Sequence, residues 1–324
     1  MSNFKLWFSF MLFYLSLISL FCNNWLAVWM VMEVNVLFLM GILSLTCGYE
    51  SSSTIMKYFI VQLIISLVFL TFILSLLFNI FMSVNLWIMI VLMAKLGLFP
   101  FHFWMIMILS KIDWTGFFMM STFYKLPSLM YTHWTFELLT LSLVVISSSF
   151  VGSFLGLNNI FIQKLLGYSS LSHLSWLLLS LSLSVQMFSV YMVSYTIILL
   201  TLSLMFNYLN IYYINQFKFF SRSTFTLFML VFVILSLMGF PPFMGFVVKW
   251  FVMKFLLYLN FNFMLFFMLL VSVMSVVFYL QLFYYMIMIY NINFKWHYPL
   301  FYNLTVFSCV FLNLLCYLFV YFCI

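Results

Sequence analysis

Four ionisable side chains stand in the middle of apolar runs. They are Glu33 in VWMVMEVNVL, Lys95 in VLMAKLGLFPFHFW, Lys125 in STFYKLPSLM and Lys249 in GFPPFMGFVVKW. A charged residue at the centre of a membrane helix costs about 2.5–3.5 kcal/mol on insertion scales. Four facing lipid would consume most of the roughly 5–15 kcal/mol that holds a fold together, so they must face protein or water. One carboxylate against three amines leaves an excess of positive charge if every amine is protonated. An amine that can release its proton can also pass one on. The chemistry open to this set is therefore proton transfer. A purely structural Glu33–Lys95 ion pair is a rival reading, and it leaves Lys125 and Lys249 without an acidic partner. Snorkelling along the chain to the interface suits Lys57, Lys164 and Lys254, which lie near span ends.

Prolines lie close to the three lysines: Pro100 after Lys95, Pro127 after Lys125, and Pro241 and Pro242 before Lys249. Proline lacks an N–H and unpairs the carbonyl four residues back. Here those carbonyls belong to Leu96, Phe123, Leu237 and Met238. Bare carbonyls cannot face lipid, so they are expected to line protein or wet cavities. His173, in GYSSLSHLSW with Ser169, Ser170 and Ser172 beside it, is a candidate proton relay, because histidine titrates near neutrality. Its ordinary alternative is a hydrogen-bonded packing residue. His102 is a weaker candidate, and His133 and His297 fall in loops.

The elements that must position these groups follow from composition. The chain has 324 residues, 68% hydrophobic and 5% charged. Soluble proteins carry about 25% charged residues, so this is a polytopic all-α membrane protein. Its positive charges form no basic stripe, which excludes nucleic acid as a partner. A span needs about 20 apolar residues. Eleven are read, at 4–22, 24–46, 55–78, 84–107, 115–131, 135–156, 165–184, 187–210, 224–257, 261–289 and 299–323. With the N-terminus inside, the inner side receives Lys5, Lys57, Lys111, Lys164, Lys218, Arg222 and Lys295, and the outer side receives Lys254. That asymmetry fits the positive-inside rule and puts the C-terminus outside. The first apolar run, Phe4 to Phe21, is too long for a signal-peptide core, so no cleavable leader is expected. Nothing remains for a soluble domain, so redox or nucleotide chemistry would belong to partners. Cys309, Cys316 and Cys323 recur every seven residues, about 10 Å apart along a helix, too far to share a metal. They read as small packing residues.

The whole chain reads as a single membrane domain, 1–324, with a hidden repeat. Spans one to five (about 4–131) lie over spans six to ten (about 135–289), with the terminal helix at about 299–323 left outside. In each set the fourth member is broken by proline and carries a lysine, Lys95 or Lys249. Five spans per set is odd, so the second set is inverted, the layout of transporters whose discontinuous helices mark the site.

Six stretches in order carry a family resemblance: NWLAVWMVMEVN, MKYFIVQ, AKLGLFPFHFW, FYKLPS, GLNNIFIQKLLGYSSLSHLSW and GFPPFMGFVVKW. Together they resemble the antiporter-like, proton-translocating subunit family of mitochondrial NADH:ubiquinone oxidoreductase, respiratory complex I. A tryptophan usually precedes the lysine of the fifth span in that family; here Tyr124 stands there. The resemblance implies a module of the membrane arm in the inner mitochondrial membrane, with the N-terminus on the matrix side and the C-terminus on the intermembrane-space side. It implies no cofactor in this chain, with NADH, FMN, iron–sulfur clusters and ubiquinone held by partner subunits. Its expected neighbours are other membrane-arm subunits, including antiporter-like ones, and membrane lipids. By the same resemblance Glu33 and Lys95 form a pair that responds to a neighbouring module, Lys125 is the central relay, and Lys249 communicates onward. Usage rich in Phe, Met and Tyr, with two alanines and ten lysines to one arginine, is that of an AT-rich gene and suits an organelle genome. A stand-alone cation/proton antiporter and a scaffold subunit that moves no protons are the alternatives.

Overall fold

The computed structural model describes residues 2–45, 49–78, 84–135, 138–157, 159–220, 224–241 and 243–292. The last predicted span, 299–323, with its three cysteines, lies outside the described residues. The structure is all-helical, because lipid offers no partners for backbone N–H and C=O groups and a helix pairs them internally. Among the described residues there is no sheet, only an isolated bridge between Phe161 and Tyr213.

The chain divides into two compact units at Ser148/Ser149. In the first, α1 (Ser2–Ile18), α2 (Trp25–Ser44) and α3 (Tyr49–Leu77) are continuous. The fourth predicted span is split into α4 (Val84–Leu96) and α5 (His102–Leu109), and the fifth into α6 (Trp114–Ser121) and α7 (Lys125–Thr132). Helix α8 (Leu138–Gly156) runs through the division. The second unit continues with α9 (Ile162–Leu183), α10 (Val185–Leu209), α11 (Thr224–Met238), α12 (Met244–Tyr258) and α13 (Asn262–Ile292). Among the described residues, five helical stretches are long and apolar enough to cross a membrane: Asn3–Phe21, Trp25–Ser44, Ser52–Leu77, Val185–Leu209 and Asn262–Tyr284. The split spans fall short for a geometric reason. The 13 residues of α4 rise only about 20 Å, less than the roughly 30 Å of hydrocarbon.

Within the first unit, Val28, Met32, Phe69, Ile73, Val84, Ile88, Val91, Leu92 and Tyr131 form one buried cluster. It holds α2, α3, α4 and α7 together around the foot of Lys95. Lys5 Nζ reaches Asp113 Oδ2 at 3.3 Å, tying the start of α1 to the start of α6. At the far end of α1, the Tyr131 hydroxyl of α7 donates toward the carbonyls of Ser19 and Cys22.

In the second unit, α9 is buried along nearly its whole length and packs against α10, α12 and α13. Its six serines, Ser169, Ser170, Ser172, Ser175, Ser180 and Ser182, each donate to the carbonyl three residues back. A hydroxyl that donates to its own helix keeps its O–H paired when it is packed among apolar neighbours.

Candidate functional site: buried charges at broken helices

The breaks that follow Lys95 and precede Lys249 are built alike. Helix α4 ends with the Gly97 N–H on Ala94 O at 3.2 Å and the Leu98 N–H on Met93 O at 3.0 Å. Helix α11 ends with the Gly239 N–H on Ser236 O at 3.3 Å and the Phe240 N–H on Leu235 O at 3.2 Å. Both are Schellman closures, which need a residue with positive φ. Gly97 has φ +69° and Gly239 has φ +77°. Proline follows within three residues of each glycine and stops the helix from resuming in register.

The fifth span, read as continuous with broken helices expected only in spans four and nine, is broken as well. Pro127 lies close to the break in sequence, but the chain leaves helical geometry earlier, at Thr122 (φ −116°, ψ −85°). The Tyr124 N–H reaches back five residues to Met119 O at 3.2 Å, a wide turn. Helix α7 then begins at Lys125 with Pro127 in its first turn, where an N–H would have no partner anyway. The carbonyl of Phe123, expected to be bare, accepts the Leu126 N–H at 3.3 Å. Lys125 is therefore the first residue of a half-helix rather than ten residues into a continuous one. Lys95 occupies the last turn of α4, beside the break in the middle of its predicted span.

Lys95 is 3% exposed, and its Nζ lies 3.2 Å from Glu33 Oε1 on α2, whose side chain is 23% exposed. The negative end of α4 adds to the favourable field at this ammonium, and the Phe69 ring lies 6.0 Å away. Trp104 of PFHFW returns across the break and donates to Ala94 O at 3.1 Å. Lys125 is 2% exposed, and its carbonyl accepts from Ser128 Oγ at 2.9 Å. Tyr58 on α3 faces Tyr124 with ring centroids 6.0 Å apart. Thus the first unit brings Glu33 and Lys95 into contact and sets Lys125 on a helix packed against α4 and α2.

In the second unit Lys249, 6% exposed, folds back and donates to Met238 O at 3.2 Å. Met238 is one of the carbonyls that the double proline was expected to free. Gly245 permits this return: a Cβ there would fall inside the Ser236 carbonyl oxygen. His173 Nδ1 lies 3.0 Å from the Tyr191 hydroxyl, and its ring sits 5.0 Å from that of Tyr195. His133 is in a 3₁₀ turn, His133–Thr135, that extends α7 rather than in an open loop. Lys164 and Lys254 place their ammonium nitrogens over the Phe161 and Trp250 rings at 5.0 and 5.5 Å.

Sequence reasoning missed Asn35, Tyr58, Gln62, Tyr191 and Tyr195, all buried polar residues beside these sites. A signal existed. Tyr58 and Gln62, like Tyr191 and Tyr195, are four apart and share one helix face. Asn35 stands two residues past Glu33 in an apolar span, where an amide needs partners or costs about 1–3 kcal/mol.

Residues 22–278 match the family described as NADH:quinone oxidoreductase/Mrp antiporter, TM, and the chain belongs to that family. A chain of respiratory complex I from Thermus thermophilus with bound aureothin has the same fold, at a TM-score of 0.77 over 92% of this chain and 74% of that one, with 19% identity. Within the family the resemblance is to NADH-ubiquinone oxidoreductase chain 2. The Anopheles gambiae protein of that name is 31% identical over 264 residues, 79% of this chain and 77% of its own. That of Locusta migratoria is 31% identical over 247 residues, 73% and 72% of the two chains.

Proposed function

We propose that the chain is an antiporter-like subunit of the membrane arm of respiratory complex I, in the inner mitochondrial membrane. It couples NADH:ubiquinone electron transfer, carried out in other subunits, to proton translocation. It brings no redox centre; NADH, FMN, iron–sulfur clusters and ubiquinone are held by its partners. Its neighbours are other membrane-arm subunits, antiporter-like ones among them, and lipid. The N-terminus faces the matrix. The chain is read as two five-span repeats, 4–131 and 135–289, with a terminal span at 299–323.

The observation that carries this reading is the Glu33–Lys95 contact at a helix break. A buried ammonium and a carboxylate on different helices can be separated by a small shift of α2 against α4. Separation changes the proton affinity of Lys95, and each tenfold change in that affinity is worth about 1.4 kcal/mol. The break supplies what an unbroken apolar helix cannot, a polar surface at membrane depth. Lys125 serves as the relay, and His173 is a further relay candidate. Lys249, held by Met238 O, passes the signal onward. Electrostatic stabilisation and directed access, rather than any covalent step, do the work.

The test is Lys95→Met in the intact complex. Loss of pumped protons per NADH oxidised, with the complex still assembled, is the expected result. An unchanged ratio would leave the chain a scaffold. Exchange of cations for protons by the purified subunit alone in liposomes would make it a free-standing antiporter.

A further inference from the structure

Beside the ion pair lies a small cavity lined by Met32, Asn35, Lys95, Tyr124, Pro127 and Ser128. It offers about 10 Å³ in which the centre of a water molecule can sit, roughly the room one molecule needs. Asn35 is 1% exposed, and neither its Nδ2 nor its Oδ1 meets a protein partner. The polar groups around the cavity are complementary. Lys95 has N–H donors beyond the one on Glu33, Ser128 Oγ has spare lone pairs, and the amide and the Tyr124 hydroxyl can each donate and accept. A buried water needs two to four such partners.

Resting on the proton-translocation reading above, we infer that this cavity is a single-water site and that Asn35 is the positioning residue that holds the water between Lys95 and the helix beginning at Lys125. An amide suits the task because it orients water from both sides yet does not titrate, so it cannot trap the proton. In the step, one N–H bond of the Lys95 ammonium breaks as an O–H bond forms on the water. One of that water's original O–H bonds then breaks as an N–H bond forms on the neutral amine of Lys125, so the water is regenerated and one positive charge passes from Lys95 to Lys125. The tyrosine at 124, where tryptophan is usual, adds a hydroxyl to the same wall.

The intact complex carrying Asn35→Leu, Asn35→Ser or Lys95→Met tests this, with pumped protons per NADH oxidised and a high-resolution map as readouts. The expected wild-type map has one water within hydrogen-bonding distance of both Asn35 and Lys95. Asn35→Leu loses that peak and pumps no better than Lys95→Met. Asn35→Ser keeps a hydroxyl, leaves room for water and recovers at least half of the wild-type ratio. An assembled Asn35→Leu complex pumping at the wild-type ratio overturns the inference, as does a wild-type map without the water. If Asn35→Leu fails to assemble, the wild-type map and Asn35→Ser decide: peak and pumping retained support the site, and a missing peak removes it. Lys95→Met pumping normally would defeat the underlying reading. Lys95→Met failing while Asn35→Leu pumps would defeat this inference alone.

Discussion

The breaks after α4 and after α11 share their glycine, their hydrogen-bond closure and their prolines, yet they hold their lysines in different ways. Lys95 lies before its break and is bound by a carboxylate from another helix, α2. Lys249 lies after its break and is bound by a carbonyl of the break itself. The first partner can move independently of the lysine. The second can move only if α11 and α12 shift against each other. One architecture thus yields a lysine held by a neighbouring helix and another held by its own hinge.

Removing the movable partner should have the largest effect. Glu33→Gln leaves the Lys95 charge buried and unpaired, a loss of about 3–5 kcal/mol for a fully buried pair. Because Glu33 keeps some exposure, about 2–3 kcal/mol is expected. It should be read as a lowered thermal midpoint of the assembled complex together with lost pumping. A midpoint at the wild-type value would mean that the pair matters no more than the Lys249 contact. Next comes Gly245→Ala, which forces α12 off α11 and breaks the bond from Lys249 to Met238. Overpacking of this kind costs about 1–3 kcal/mol, and the same thermal assay should show it. A structure of the variant with Lys249 still on Met238 would refute the hinge description.

Gly97→Ala and Gly239→Ala should each cost about 1–2 kcal/mol, since an alanine must adopt the left-handed conformation. The larger loss is expected at Gly97, where the added Cβ also meets the Met105 sulfur at 2.8 Å, whereas at Gly239 it meets the Lys249 side chain at 3.3 Å; equal losses would show that backbone conformation alone sets the cost. The smallest effect belongs to Tyr191→Phe, which removes one hydrogen bond from His173 and should cost about 1 kcal/mol while leaving assembly intact.

The charged residues were legible because so few of them interrupt so much apolar sequence. Glu33 was the only acid read at membrane depth, and its pairing with Lys95 was what the family resemblance implied; counting alone does not choose among three lysines. The partner of Lys249 was half legible: proline chemistry pointed to Met238 O, though not to the lysine as its donor. The break before Lys125 was not read, because proline is tolerated in a first helical turn, so Pro127 does not sit at the break it accompanies. The Tyr191–His173 contact depends on the register of α9 against α10. Asn35 was overlooked because the cavity it lines is closed by α4 and α7. Such features arise from packing between segments, which one-dimensional spacing does not encode.

Helix α9 stores its polarity in serines tied to its own backbone, and it falls outside the stretches apolar enough to cross a membrane alone. It meets α10 across one residue, Ser184, whose side chain accepts the Met187 N–H at 3.2 Å. During synthesis, then, α9 should not partition into the bilayer unaided but enter as a hairpin with the more apolar helix that follows. A nascent chain stopped at Leu183 should leave α9 accessible to a soluble protease, and one extended through Leu209 should protect it; equal protection in both would show that the helix needs no companion.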